Sequence, residues 1–478
     1  MGSEAAPASA GAAWSRRRRV GVILVSSGDG PARRGGRLTR LRRGRCPIQG
    51  DGEGPLATDQ QRNEGPMPAG VVLRAASAWT GTGAPPVEAA ELHVEAGRIA
   101  WLGRQGERPV PEGARVVDLG AQWLLPGFVD AHLHLWGLDL SEPAALWNWP
   151  QAYRAARAVA DLGALLAGGI TAVRCCGGPL GPSLARAVRE GVVAGPRIVA
   201  AGEFICSRAG TWDHVAFPQR WAEELGMLAD GPEECRRRVR ERVRQGADFI
   251  KIGGSVGEHA DTLRPWGDDP GRLRLSYSDE EVRVVVEEAR RNGLRVATHA
   301  IGEAAVAQAV AAGVHSVEHG HGASEETVRR MAGEGIWLVP TLALPALRAE
   351  RAPPAVAAHW QRHRDVQRRS LELAMRHGVR IAAGTDFVGP PFTPLGPDAC
   401  EMELLVEAGM PPERALLAGT AEGAALLGLA EVTGSLLPGR AADIVAVPSD
   451  PRHDIALVRR PGFVMAAGAV VLDRRPPA

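Results

Sequence analysis

Between Phe128 and Asp386, eight short apolar segments alternate with longer amphipathic ones, and this alternation limits the fold more than any other feature of the 478-residue chain. The strand candidates are Phe128–Leu135, Ile170–Cys176, Pro196–Ile205, Ala247–Gly254, Arg295–Ile301, Ser316–Gly320, Trp337–Leu344 and Arg380–Asp386. Stretches with arginine and glutamate on their outer faces separate most of them, among them Pro232–Gln245, Asp279–Asn292, Glu325–Gly333 and Val356–His377. Eight strand–helix units within about 300 residues predict an α/β fold, a (β/α)8 barrel of the TIM type. An open doubly wound sheet is the competing arrangement, but no Gly-x-Gly-x-x-Gly turn follows an early strand.

Shorter strands flank the repeat. Val71–Ala75, Ala90–Val94, Arg98–Gly103 and Arg115–Leu119 precede it, and Asp443–Val447 and Gly462–Val471 follow it. Turns rich in Gly, Pro and acidic residues separate the first four, as in a small β-sandwich. Chain ends often lie close together. One β-domain built from both ends, residues 67–125 and 431–478, is therefore expected around a barrel of residues 126–430. Residues 1–66 carry 12 arginines against six acids and only one apolar run, Val20–Val25. That run is too short for a signal peptide, and so little apolar surface predicts a disordered basic tail. Regular patterning begins at Met67, which makes Met67 a candidate for the native start.

The bulk composition narrows the function. An apolar fraction of 45% and a charged fraction of 23% are those of a globular protein, and no apolar run approaches the roughly 18 residues of a membrane span. The tail carries +6 and the remainder −5, so the main body is not a general binder of phosphate backbones. No nucleic-acid or membrane partner is expected, and homo-oligomerisation is left open. The six cysteines form no Cys-x-x-Cys pair, which suits buried thiols in a reducing cytoplasm; the adjacent Cys175 and Cys176 read as core residues.

One compositional fact points to chemistry. The chain has a single lysine, Lys251, against 55 arginines. Arginine supplies positive charge without ever losing its proton, whereas a desolvated lysine becomes a free amine. A free amine adds carbon dioxide to form a carbamate, which bridges two metal ions as a carboxylate does. Lys251 lies in Ala-Asp-Phe-Ile-Lys-Ile-Gly-Gly, a buried strand running into a loop. A rare lysine must fall somewhere, so the position alone decides nothing.

Its neighbours in the predicted barrel do. Catalytic groups gather at the C-terminal ends of barrel strands. There the first strand carries His132 and His134, the fourth Lys251, the fifth His299, the sixth His319 and the eighth Asp386. Histidines two apart on a strand share a face and can meet one metal ion. Singly, each has a plainer reading: His299 as a core histidine, Gly-Thr-Asp386 as a helix cap. Six metal-competent groups converging on one mouth predict a shared metal site. His321, two residues beyond His319, is its rival. His93, His359, His363 and His453 read as solvated surface residues.

These motifs resemble the amidohydrolase superfamily in order and spacing: Leu-Pro-Gly-Phe-Val-Asp-Ala-His132-Leu-His134, the lone Lys251, Thr-His299-Ala, Glu-His319-Gly and Gly-Thr-Asp386. The imidazolonepropionase-related and prolidase-like branch is most similar, over roughly residues 70–475. The resemblance implies a metal-dependent hydrolase cleaving a C–N bond, in an amide, peptide-like or cyclic amide substrate, through a metal-bridging hydroxide. His132, His134 and Asp386 would hold the more buried metal and His299 and His319 the second, with carboxylated Lys251 between them. Two divalent ions are expected, zinc first among the candidates, with Asp386 as general base.

Some loops depart from that pattern. Where the branch usually carries a Gly-Gly-His-Gly-like element, this chain has Arg208-Ala-Gly-Thr-Trp-Asp-His214. His214 is then the candidate for polarising the substrate, unless the loop is rebuilt for another substrate. His259 follows Lys251 in Ile-Gly-Gly-Ser-Val-Gly-Glu-His, and strand two reads Val-Arg174-Cys-Cys, without the usual aspartate. Trp136, Trp147, Trp149, Trp212 and Trp266 fall in predicted mouth loops, and Trp136, Trp212 and His259 are candidate contacts to a hydrophobic small-molecule amide. A mononuclear deaminase or imidazolone-type ring hydrolase is the alternative, although it needs no bridging lysine. A non-catalytic scaffold of the same fold is the alternative of another class, although scaffolds tend to lose ligands and all six are here.

Overall fold

Strand-forming residues open the described chain. In the computed structural model, residues 70–475 are described, apart from 140, 143–144, 214–217, 219, 257–273 and 391–396. β1 (Val71–Ala78), β2 (Val87–Glu95), β3 (Arg98–Arg104), β4 (Arg115–Asp118) and β5 (Trp123–Pro126) come first. β6 (Phe128–Leu133), β7 (Ile170–Cys175), β8 (Arg197–Ala200), β9 (Ile250–Gly253), β10 (Val296–Ile301), β11 (Ser316–His321) and β12 (Trp337–Val339) follow, most of them separated by helices. β13 (Ile444–Val447), β14 (Phe463–Ala466) and β15 (Ala469–Asp473) end the chain. No described helix is long and apolar enough to cross a membrane.

Both ends of the described chain share one eight-stranded sheet, in the order β15-β14-β13-β5-β1-β2-β3 with β4 beside β1. β13 runs antiparallel to β5, with Val445 opposite Leu125 and Val447 opposite Trp123. Leu73, Leu92, Ile99, Leu124, Phe463 and Met465 are buried together under this sheet. The pattern reading had missed β5, because Trp-Leu-Leu-Pro runs almost directly into β6. Gly127 makes that passage, and a Cβ there would stand 2.1 Å from Thr171 Oγ1.

The alternating strands pair in parallel, β6-β7-β8 in one set and β9-β10-β11-β12 in another. Single parallel bridges join the sets. Ile205 pairs with Ile252, Leu338 with Ile381, and Leu133 with Phe387, which returns the succession to β6. Several expected strands are shorter than the sequence suggested: Pro196–Ile205 ends at Ala200, Phe128–Leu135 at Leu133, and Ala247–Gly254 is reduced to Ile250–Gly253. Trp337–Leu344 stops at Val339, because Pro340 has no N–H to donate and a helix begins at Ala343. Arg380–Asp386 is no regular strand; Ala131 N and Asp386 N instead donate across to Ala383 O and His132 O. Gly384 permits this approach, since a Cβ there would lie 2.7 Å from that of His132.

Three histidines expected at the surface are buried. His93 is held by Glu91, Nε2 to Oε1 at 2.9 Å, and packs edge-on to Trp101. His359 and His363 lie on the inner face of the helix Pro354–Arg376, which the arginines on its other faces had disguised. His453 is exposed, as expected.

Candidate active site

Strand ends position the site. His132 lies in β6 and His134 just beyond its end, Lys251 lies in β9, His299 in β10 and His319 in β11, and Asp386 faces β6 from the segment beyond Ile381. All six are buried. Asp386 Oδ1 lies 3.1 Å from His134 Nε2 and 3.6 Å from His132 Nε2, and Lys251 Nζ is 3.4 Å from His132 Nε2. The His319 ring stands 5.2 Å from that of His132 and 4.6 Å from that of His299. Ligand-type atoms of His132, His319 and Asp386 all lie within 4.8 Å of one another. His321 turns away toward His363.

Three of the imidazoles are oriented by their other nitrogen. His134 Nδ1 donates to Gly177 O at 3.0 Å, and the same carbonyl accepts from Trp136 Nε1 at 2.8 Å. His319 Nδ1 meets Thr341 Oγ1 at 2.7 Å; that hydroxyl donates to Pro340 O, so it accepts from the ring. His132 Nδ1 meets Glu318 Oε2 at 2.7 Å. Each Nε2 is left as an acceptor, the form that ligates a metal. Nε2 of His299 is buried with no hydrogen-bond partner among the described residues, and a divalent ion would satisfy it. The residues present fit a metal centre.

The backbone is strained at the same place. Among the described residues, seven other than glycine have positive φ, and they include His319 at 70°, Thr341 at 53° and Asp386 at 58°. The left-handed region costs an ordinary side chain on the order of 1–3 kcal/mol, which surrounding structure must offset. At His319 it breaks the strand's alternation. Glu318 and His319 are neighbours in sequence, yet both reach His132.

Burial and charge set the protonation. Burial, with Lys251 adding to it, pushes His132 down to about 4 and His299 to about 3, so both imidazoles are neutral near pH 7. Burial also lowers Lys251. For Asp386 burial acts upward, but His132 and His134 outweigh it and hold the carboxyl below its ordinary range. Glu318 is likewise lowered, chiefly by Arg174 against burial. Arg174 Nη2 contacts both oxygens of Glu318 at 2.7 Å, and its other nitrogens donate to Ser316 Oγ and Ala131 O.

Aromatic rings line one side. Trp212 stacks on Phe204 at 3.5 Å with planes 7° apart and lies edge-on to His299 at 5.9 Å. Trp136 stands 5.2 Å from His134 and 5.7 Å from Phe204. Trp149 lies elsewhere, against Tyr153 and under Arg157. His214, His259, Trp266 and the side chain of Trp147 fall outside the described residues. Sequence reasoning assigned no role to Glu318, Arg174, Thr341 or Phe204. Arg174 and Glu318 did leave a signal: one charge of each sign inside apolar strand candidates of the same expected barrel.

Comparison with known proteins gives this geometry a family. The model of the amidohydrolase family matches residues 123–471. Ochratoxinase of Aspergillus niger is 32% identical over 365 residues, 71% of this chain and 73% of that protein. Imidazolonepropionase of Pseudomonas fluorescens is 26% identical over 412 residues, 77% of this chain and 90% of that protein. The crystal structure of a Xaa-Pro dipeptidase with bound methionine superposes with a TM-score of 0.73 at 27% identity, covering 84% of this chain and 99% of that one. The chain belongs to the amidohydrolase family, whose enzymes hydrolyse carbon–nitrogen bonds.

Proposed function

We propose that this amidohydrolase is a binuclear metallohydrolase of amide bonds, built on a closed (β/α)8 barrel with a smaller β-domain from both chain ends. The observation that carries it is Lys251. The chain's one lysine is buried beside the His132 imidazole, and among the described residues no carboxylate lies within ion-pairing distance of it. An ammonium ion there is poorly compensated. A neutral amine is not, and with carbon dioxide it gives R–NH–COO⁻ and a proton.

In this reading His132, His134 and Asp386 would hold one divalent ion and His299 and His319 a second, and Lys251, as its carbamate, would supply a carboxylate-like ligand. Zinc suits this mixture of imidazole and carboxylate. When bound, such ions supply Lewis acidity for the scissile carbonyl and lower the pKa of water. The chain's own residues do the rest. Asp386 takes a proton from the attacking water on a carboxylate oxygen and returns it to the leaving nitrogen as the C–N bond breaks. Glu318 and Arg174 hold the His132 ring, Thr341 the His319 ring and Gly177 the His134 ring. Trp136, Phe204 and Trp212 exclude water and receive an apolar part of the substrate. The substrate class is a hydrophobic amide: an N-acyl amino acid, a dipeptide or a cyclic amide. The dipeptidase is a precedent for the peptide-like case.

A mononuclear centre is the second reading, favoured by the close grouping of His132, His319 and Asp386. Metal content decides between the two. Lys251→Arg keeps the charge but forms no carbamate, so it should bind two fewer ions per chain than the parent and lose turnover on a library of apolar amides. An arginine variant with unchanged metal and turnover would leave the mononuclear reading standing.

A further inference from the structure

Beyond the cluster around Lys251 lies a second group of imidazoles. His321 ends β11 two residues after His319, and its ring stands 6.1 Å from that of His319 but 5.8 Å from that of His363. His363 belongs to the helix Pro354–Arg376, and His359, one turn earlier on the same face, lies 4.6 Å from it. All three are buried, His321 and His363 without measurable exposure. Neither ring nitrogen of His363 has a hydrogen-bond partner among the described residues. A buried polar ring left this way costs free energy, and native cores rarely tolerate it without a purpose.

Paired histidines four apart on a helix are a common chelating arrangement, and three histidines with one open position is a known zinc donor set. Zn–N bonds of about 2.0–2.1 Å place the centroids of two imidazoles on one tetrahedral ion about 5 Å apart. The ring separations of 4.6 and 5.8 Å bracket that value. Their nitrogens are not all within 4.8 Å of one another, as the donor atoms of His132, His319 and Asp386 are, so binding an ion would require the rings to turn about their Cβ–Cγ bonds.

We propose that His321, His359 and His363 form a further metal site, separate from the six-residue centre, taking a divalent cation of the zinc class with its fourth position open to a small ligand. Burial, with His321, His359 and Arg348 adding to it, pushes His363 down to about 2, which keeps that imidazole in its ligating form. An ion there ties the helix Pro354–Arg376 to the end of the strand that carries His319. The three rings could instead serve only as core packing, and the experiment separates the two.

The full-length protein, stripped of metal and re-equilibrated with Zn²⁺, is assayed for bound zinc by mass spectrometry. His363→Leu and His359→Leu should each bind one equivalent less than the parent. Lys251→Arg should keep that equivalent while losing those of the main centre. If a leucine variant fails to fold, Co²⁺ bound to Lys251→Arg supplies the second readout, as the visible absorption of a tetrahedral histidine-bound ion. Equal zinc in the parent and both leucine variants, or no cobalt absorption in Lys251→Arg, would overturn the proposal. Loss of one equivalent in His363→Leu beside unchanged metal in Lys251→Arg would support this site while refuting the bridging lysine.

Discussion

Glu318 Oε2 accepts the Nδ1 proton of His132 at 2.7 Å, while Arg174 grips both oxygens of the same carboxylate. The imidazole is therefore fixed in ring orientation and tautomer before any ligand arrives. Outer partners of this kind typically govern metal affinity by 10–100-fold. Glu318→Gln should weaken metal binding by about that factor in a chelator competition. It should also lower the melting temperature, because removing one partner of a buried pair leaves the other uncompensated, at a cost of about 3–5 kcal/mol. Unchanged affinity would mean that His132 does not depend on this bond.

Lys251→Ala offers a complement to the arginine variant. It should lose bound metal and turnover, and it opens space where a carbamate would stand. Formate or acetate supplied at high concentration should then restore part of both. Restoration by chloride at the same ionic strength would expose a general salt effect instead.

Glu203 gives a pH dependence away from the metal site. It is buried, with Oε2 unpartnered among the described residues, and burial raises it from 4.5 to about 7 against the opposing pull of Arg242. The folded state then binds the proton more tightly than the unfolded state. This stabilising contribution is complete below about pH 4.5 and is lost as pH rises through about 7. Glu203→Gln, neutral throughout, should be more stable than the parent at pH 8, by on the order of 1–3 kcal/mol, with the gap shrinking toward pH 5 in denaturant titrations. A gap independent of pH would show that Glu203 does not carry the effect.

Trp212 is the ring whose removal should change selectivity most. It stacks on Phe204 and borders His299, so it lies between the aromatic wall and the expected metal ligands. Burying one large apolar group contributes roughly 1.5–3 kcal/mol, or about 10–100-fold in binding. Trp212→Ala should raise KM for amides with bulky apolar acyl groups by about that factor and affect small polar amides much less. An equal loss on both classes would indicate a collapsed loop.

The parts of this molecule that were legible in sequence are those governed by periodicity. Seven of the eight expected strands and the four helices named from the pattern follow from apolar spacing, and so does the gathering of His132, His134, Lys251, His299, His319 and Asp386. What stayed hidden depends on local exceptions to that spacing. Pro340 cut one strand short, Gly384 replaced regular pairing near Asp386, and the positive φ of His319 put Glu318 and His319 both against His132. His359 and His363 were misjudged because the arginines around them suggest a solvated helix. Only the tertiary packing reveals the face that points inward.

The most direct measurement of the central claim is ¹³C NMR of the metal-loaded protein equilibrated with ¹³C-bicarbonate. Because Lys251 is the only lysine in 478 residues, a lysine carbamate can arise at no other position. One carbamate resonance in the active protein, absent from Lys251→Arg, is the predicted result. A fully active, metal-loaded protein without that resonance would contradict the account.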